Sequence, residues 1–170
     1  NSENINKKKS DNIKMSKYYF PLLLILCIYS IYTEDTKLEG VPFSSDESSE
    51  LLKNAFDGDL STEFISPAKE GWVGLELSSP AKISKIGFAH LSKEPKDYLL
   101  GVFQGANDKT FFDAFPLYMI KEELTSNTMQ TIQISCTQKF KYIRFISPNG
   151  KTAPISELEV YGDTSAGESE

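Results

Sequence analysis

Residues 72–88 read Trp-Val-Gly-Leu-Glu-Leu-Ser-Ser-Pro-Ala-Lys-Ile-Ser-Lys-Ile-Gly-Phe, and this stretch decides the fold class. Apolar side chains alternate with other residues over 72–77, the turn formers of 78–80 interrupt the pattern, and alternation resumes over 81–88. A period of two places successive side chains on opposite faces of a β-strand, so that one face is buried and the other meets solvent. The stretch therefore predicts two strands that each contribute one face to a core.

Further strand patterns follow along the chain, separated by turn-forming residues. The run 98–104 is almost continuously apolar, as in a strand covered on both faces, whereas 111–120 is aromatic, contains a proline and predicts a packed loop or an edge strand. Helix is expected only as a turn or more over 48–54. Many short strands with little helix predict an all-β sandwich. The remaining predicted strands cover 129–136, 140–147 and 155–161.

The composition is that of one soluble domain with a hydrophobic core, since 39% of the 170 residues are hydrophobic and 25% are charged. The net charge is −6, and residues 34–170 carry 13 basic against 22 acidic side chains, a net charge of −9. Nucleic-acid binding depends on basic side chains that displace counterions from phosphates, so the acidic balance argues against it. The same balance disfavours purely electrostatic attraction to anionic lipid.

The beginning of the chain differs in character from the rest. Residues 1–14 are polar and are predicted to be disordered, whereas 15–33 have the positive start and the apolar run of a signal peptide. The run 18–32 is short for a membrane helix, which needs roughly 18–20 residues. We therefore expect a secreted domain over 34–163, with an uncleaved membrane anchor through 18–32 as the alternative. Residues 164–170 are predicted to be a disordered tail or the start of a linker.

Two separated segments carry oxygen atoms that suit a cation. The turn Asn54-Ala55-Phe56-Asp57-Gly58-Asp59-Leu60-Ser61-Thr62 crowds two carboxylates, a hydroxyl and several carbonyls, and Ser156-Glu157-Leu158-Glu159-Val160-Tyr161-Gly162 brings a carboxylate on a strand. A hard cation such as calcium takes about 6–8 oxygen ligands. If the two segments meet, they would hold calcium between them. The alternative is a metal-free turn with Glu157 as a solvated charge at the end of a strand.

The order of these motifs resembles that of the discoidin domains, the coagulation factor V/VIII C-type modules and the related family 32 carbohydrate-binding modules. Asn54–Thr62 with Phe64 resembles the Asp-Gly-x-x-x-Thr-x-aromatic turn of that family, and Trp72–Leu77 resembles the strand that follows it, with glutamate in place of the usual aspartate. Residues 103–108, Phe-Gln-Gly-Ala-Asn-Asp, resemble a further turn of the family. The resemblance extends from about Ser44 to Gly162 and includes the last two predicted strands.

That resemblance implies a galactose-binding-like jelly roll of about eight antiparallel strands in two sheets, often with one structural calcium ion. Such an ion stabilises a protein by binding only its folded state. Carried over onto this sequence, the calcium ligands would be the carbonyls of Asn54, Asp59 and Ser156 and the side chains of Asp57, Thr62 and Glu157.

Two features depart from the family pattern. Many of its members join their termini through a disulfide, whereas this chain has only Cys27, within the predicted signal peptide, and Cys136, which we interpret as a small buried side chain on a strand. Galactose-binding relatives often have a histidine where this chain has Ile65 and an arginine after the strand aligned with 83–88, whereas the only arginine here is Arg144. The resemblance therefore supports the scaffold better than any particular sugar.

Ligands of such a sandwich would bind loops at one end of the strands. The loop 90–96 is the best candidate, because His90, Lys93 and Glu94 offer donors and acceptors for sugar hydroxyls, and Ser66 would belong to an adjacent wall. For His90 itself, a loop or capping residue that contacts no ligand is the favoured interpretation.

Aromatic side chains offer a second kind of binding surface. Trp72 could stack on a sugar ring, although its place on an alternating strand also fits the core or its rim. A cluster in the run 111–120 would be core if covered and a binding patch if exposed. Its members are Phe111, Phe112, Phe115 and Tyr118.

No catalytic arrangement is recognisable, because the single histidine has no evident nucleophile or carboxylate partner in a known motif. We therefore expect a secreted, non-catalytic carbohydrate-binding or cell-adhesion module whose partner is a glycan or glycoprotein. One alternative is a discoidin-type domain that binds phospholipid or extracellular protein through exposed apolar loop tips. Another is the accessory binding domain of a longer secreted enzyme.

Overall fold

The computed structural model of the chain describes residues 35–46 and 50–164, all of which belong to one compact unit. The upstream stretch predicted for 1–14, the signal peptide predicted for 15–33 and nearly all of the tail predicted for 164–170 lie outside the described residues. Within them the all-β prediction is confirmed. The eight strands of this part of the chain are β1 (Thr36–Lys37), β2 (Gly40–Ser44), β3 (Trp72–Ala89), β4 (Val102–Ala106), β5 (Phe115–Met119), β6 (Gln130–Gln133), β7 (Lys139–Ile146) and β8 (Glu157–Asp163), with short 3₁₀ helices at Glu50–Ala55 and Pro95–Tyr98.

The two strands predicted within 72–88 form one long strand, β3, that serves two layers. In its first half, 73–77 pair with β2 and 72–76 with β7, and its second half, 82–89, pairs with β8. The register with β7 shifts between these halves, where the exposed residues 78–80 include a proline that has no N–H to donate. All pairings are antiparallel, and the strand order is β1-β8-β3-β7-β4-β5, with β2 and β6 also on β3.

Aromatic contacts between the layers form the centre of the core. The ring of Phe88, in the second half of β3, lies 5.3 Å from the ring of Phe103 on β4 and 5.2 Å from that of Phe145 on β7, measured between centroids. All three side chains are buried. Because Phe88 does not pair with β4 or β7 at this point, these contacts join two faces that lie against each other, as in a β-sandwich.

Several local predictions differ from the structure. The apolar run 98–104 is not a strand throughout. It begins at the end of the 3₁₀ helix Pro95–Tyr98, and only its last three residues lie in β4, Val102–Ala106. The edge-strand prediction for 111–120 is confirmed, since β5 ends the strand order. The strand predicted through 129–136 ends at Gln133, so Cys136 is half-buried in the following loop, and the prediction of a buried cysteine on a strand was wrong. In residues 35–46 and 50–164 no helix has the length and apolar character needed to cross a membrane.

Candidate functional site

The acidic turn folds back so that oxygens from four of its residues converge. The hydroxyl Oγ1 of Thr62 lies 2.9 Å from Asp57 Oδ2, 3.1 Å from the carbonyl oxygen of Asp59 and 3.5 Å from that of Asn54. The turn tightens at Gly58, whose φ of 78° is a left-handed conformation that glycine adopts without steric cost. Asp59 directs its own carboxylate to Ser61, so it presents only its carbonyl to this point.

Glu157 brings the distant segment into contact with this turn. It is the first residue of β8, and its Oε2 accepts a hydrogen bond of 2.8 Å from the backbone N–H of Gly58. The residue is only 1% exposed, which excludes the interpretation of Glu157 as a solvated charge at the strand end. Its other oxygen, Oε1, and the hydroxyl of the neighbouring Ser156 are buried without a hydrogen-bond partner among the described residues.

The burial of Glu157 has an electrostatic consequence. Removal from water raises the pKa of this carboxyl, and the nearby charges of Glu159 and Asp57 act in the same direction. The N–H of Gly58 and the charge of Lys37 oppose the shift without overcoming it. A buried carboxylate with one unpartnered oxygen is destabilising unless a cation or a proton neutralises it.

This donor set fits a calcium ion. It would comprise the carboxylates of Asp57 and Glu157, the hydroxyl of Thr62 and the carbonyls of Asn54 and Asp59, all hard oxygen ligands. The carbonyl of Ser156 stays a prediction as the sixth ligand. The described residues contain no group of three or more His, Cys, Asp or Glu side chains arranged for a metal, so the candidate site depends on carbonyls as much as on carboxylates. A groove of about 490 Å³ that also borders Phe56 reaches Glu157.

Three loops meet at the end of the sandwich beside this turn. The carbonyl of Lys151 accepts a hydrogen bond from the N–H of Glu70, and the carboxylate of Glu70 accepts one from the N–H of Gly150. The ammonium of Lys151 then reaches Asp97 Oδ1 at 2.9 Å, in the loop predicted as the ligand site. Loops 66–71, 147–153 and 91–97 therefore form one surface, called here the loop-end surface.

The predicted ligand residues occupy different depths in this surface. Lys93 and Glu94 are exposed, and Glu94 Oε2 lies 3.1 Å from the ammonium of Lys96. Ser66 is 6% exposed, and its hydroxyl is within 3.1 Å of the hydroxyl of Ser45 and accepts a bond from the N–H of Ala68. Lys93 and Glu94 are therefore accessible to a ligand, whereas the hydroxyl of Ser66 is engaged with Ser45 and with its own loop.

His90 lies beneath this surface, so it is the loop residue without ligand contact that the sequence allowed, and not a direct ligand contact. It is 0% exposed, and its ring packs against that of Tyr98 with 4.2 Å between centroids and an angle of 33° between the ring planes. Burial lowers the pKa of His90, although the backbone of Leu124 acts in the opposite direction. Its carbonyl accepts a bond from the N–H of Asn127, and Tyr98 donates its hydroxyl hydrogen to the carbonyl of Pro154. These contacts fix the loop that carries Lys93 and Glu94.

The aromatic residues do not form one cluster. Phe111 is 6% exposed and packs near Trp72, which is half-buried at the rim of the sheet, whereas Phe112 is 95% exposed. Phe115 and Tyr118 lie partly exposed on the edge strand. The sequence did not indicate that Phe111 packs on Arg144, because Phe111 lies in a loop outside the paired strands. The alternation of β3 and β7 could have indicated only that Trp72 and Arg144 share a face of the sheet.

Comparison with solved structures defines the class of this protein. No protein-family profile and no curated protein matches the sequence. Among solved structures, the chain is similar to a fucolectin from striped bass (Morone saxatilis) serum, with 16% identity, a TM-score of 0.66, and 79% of this chain and 49% of that chain covered. It is also similar to the CBM32-6 module CpGH89CBM32-6 of Clostridium perfringens, with 19% identity, a TM-score of 0.59 and coverage of 74% and 94%. The fold is thus the galactose-binding-like β-sandwich of carbohydrate-binding modules and lectins.

A third similarity gives the family. The chain is 31% identical to the CBM62 of Xyl5A from Clostridium thermocellum, with a TM-score of 0.70, and the alignment covers 77% of this chain and 99% of that chain. The chain belongs to the family 62 carbohydrate-binding modules.

Proposed function

We propose that this chain is a secreted, non-catalytic module that binds a carbohydrate through the loop-end surface and is stabilised by one calcium ion. The observation that carries the proposal is the 31% identity over 99% of the CBM62 of Xyl5A. The fold alone would not suffice, because one fold hosts many functions.

The structure of the loop-end surface supports sugar binding there. Lys93, Glu94 and Lys96 are exposed and offer both donors and acceptors to hydroxyl groups. The buried pair His90–Tyr98 and the Lys151–Asp97 ion pair hold their loop in place, so less conformational entropy is lost when a ligand binds. Catalysis is not expected, since the buried His90 has no carboxylate or nucleophile as hydrogen-bond partner among the described residues.

A calcium ion in the acidic turn would stabilise the loop-end surface through the backbone pair that joins the two segments. Phe64 and Ile155 exchange backbone hydrogen bonds of 2.7 and 2.9 Å, and each lies two residues from a proposed calcium ligand, Thr62 or Glu157. An ion that neutralised Glu157 would therefore fix the start of loop 66–71 and the end of loop 147–153.

A glycan array tests the proposal directly. The purified chain is applied with 2 mM calcium and, in parallel, with a chelator, followed by elution with free sugar. We expect retention on a restricted set of glycans, weaker with the chelator and reversed by the free sugar. Failure to bind any glycan, with vesicles of phosphatidylserine retaining the chain instead, would contradict the proposal in favour of lipid recognition.

A further inference from the structure

A second surface of the molecule carries the guanidinium group of Arg144, which packs against aromatic rings and has no carboxylate partner among the described residues. The outer face of the layer that contains β2, β4 and β7 is defined by the register: Gly74 of β3 and Gln104 of β4 are both directly opposite Arg144 of β7. Val73 and Phe145, whose side chains alternate with these, are buried in the core. Arg144 therefore points away from the core, on the side opposite to the aromatic contacts of Phe88.

Gly74 makes room for the arginine side chain. A Cβ atom at this position would lie 2.9 Å from Phe43 Cε1 and 3.0 Å from Arg144 Cβ. Because Gly74 lacks that atom, the side chains of Phe43 and Arg144, from the strands on either side of β3, lie close to it on the same face. Phe43 also packs edge-on against Trp72 with 5.1 Å between ring centroids.

The guanidinium group of Arg144 packs against two aromatic rings. Its Cζ lies 3.8 Å from the ring centroid of Phe111 and 5.4 Å from that of Trp72. Phe111 reaches this position because its φ of 60° turns the chain back over the sheet. A residue other than glycine in that conformation is uncommon and is held in place by its surroundings.

The charge of Arg144 has no counter-ion among the described residues. Its Nε and Nη2 donate to the amide oxygen of Gln104 at 3.0 and 2.8 Å, and it takes part in no ion pair there. Glu76, on the same face, instead accepts a bond from Tyr142 and pairs with Lys141 at 3.8 Å. Burial lowers the pKa of Arg144, which is the direction expected for a cation that leaves water without a counter-ion.

We propose that this outer face is a second ligand site, in which Arg144 binds the carboxylate of a hexuronic acid unit in an acidic polysaccharide. A guanidinium has five N–H donors, of which two are used here, and the remaining donors suit a planar carboxylate. The exposed parts of the Trp72 and Tyr142 rings offer apolar surface to the C–H groups of a pyranose. The assignment of the carboxylate to a sugar rests on the proposed function. The complementarity between the positive charge of Arg144 and a carboxylate does not depend on it.

The sequence makes this site unusually easy to observe, because the chain has one tryptophan and one arginine. The Nε–H of Arg144 and the indole N–H of Trp72 each give a single resonance in a ¹H–¹⁵N spectrum. We would titrate the full chain with trigalacturonic acid, with its methyl ester and with inorganic sulfate. We expect both resonances to shift with the free acid only. Shifts with the ester or with sulfate of equal size, or no shift with millimolar free acid, would overturn the proposal.

Variants supply the second arm of the test. Arg144→Gln should weaken binding of trigalacturonic acid at least tenfold, and Lys141→Gln, which removes a neighbouring charge that already has a partner, should change it less than twofold. Equal losses in the two variants would mean general electrostatic attraction and would overturn the site. If Arg144→Gln does not fold, the titration of the unmodified chain still decides. A neutral glycan retained on the array should bind Arg144→Gln unchanged, so the loop-end proposal and this one fail separately.

Discussion

Replacement of Glu157 by glutamine separates the effect of a calcium ion from the cost of a buried charge. Glutamine keeps the volume and the side-chain oxygen that accepts the 2.8 Å hydrogen bond from Gly58, but it removes the negative charge. Without calcium at pH 7, the 1% exposed carboxylate destabilises the folded state, as its raised pKa indicates. The variant should therefore be at least as stable as the natural chain in a chelator.

Calcium should reverse this order. A ligand present at a hundred times its Kd stabilises the folded state by about 2.7 kcal/mol. For a domain of this size, about 1 kcal/mol corresponds to roughly 3–5 °C in Tm, so calcium should raise the Tm of the natural chain by about 8–13 °C. Glu157→Gln should gain much less, because it lacks one of the two carboxylates of the site.

Differential scanning calorimetry gives the four Tm values needed, those of the natural chain and of Glu157→Gln, each with saturating calcium and with a chelator. Asp108→Asn is a matched control, because Asp108 accepts bonds from the N–H and hydroxyl of Thr110 in a similar turn that has no buried glutamate beside it. This control should keep the full calcium shift. If calcium raised the Tm of Glu157→Gln as much as that of the natural chain, or left the Tm of the natural chain unchanged, Glu157 would not be a calcium ligand.

Three further predictions concern the core and the loop-end surface. Phe88→Ala should lower the free energy of unfolding by about 3–5 kcal/mol in urea titrations, because its ring joins the two layers; a loss below about 1 kcal/mol would contradict that packing. Tyr98→Phe should cost about 1 kcal/mol, since the carbonyl of the half-buried Pro154 loses its donor, and should weaken glycan binding; unchanged stability and affinity would count against the support role. The lowered pKa of His90 means that the unfolded chain binds its proton more readily, so stability should fall as pH decreases below about 6.5. In His90→Gln this component should be absent, and identical pH profiles from pH 7.5 to 5 would disprove it.

The sequence alone indicates some of these features because they are local. Alternation over 72–88 predicts strand, and the acidic turn with Gly58 predicts where oxygens converge, since both depend on neighbouring residues. The bend of β3 between two layers could not be predicted, because it depends on which strands pair with each half. Strands β1 and β2 were missed because the polar residues around them show no alternation and their partners lie far along the chain.

The site residues show the same limit. Nothing adjacent to His90 in sequence reveals that Tyr98 and the 121–129 loop cover it, so a polar residue after a strand looked exposed. The environment of Arg144 likewise comes from Phe111 and Gln104, which are more than 30 residues away. Long-range packing therefore decides which polar side chains contact a ligand and which support the fold.

Titration calorimetry tests the central claim, that a calcium-stabilised sandwich binds sugar at its loop end, most directly. The chain would be titrated with the glycan that the array retains most strongly, first with calcium and then with a chelator. For a neutral glycan we predict saturable binding with one site per chain, weakened severalfold without calcium and lost when free sugar competes. An absence of saturable binding, or an affinity that is the same with and without the chelator, would contradict the account.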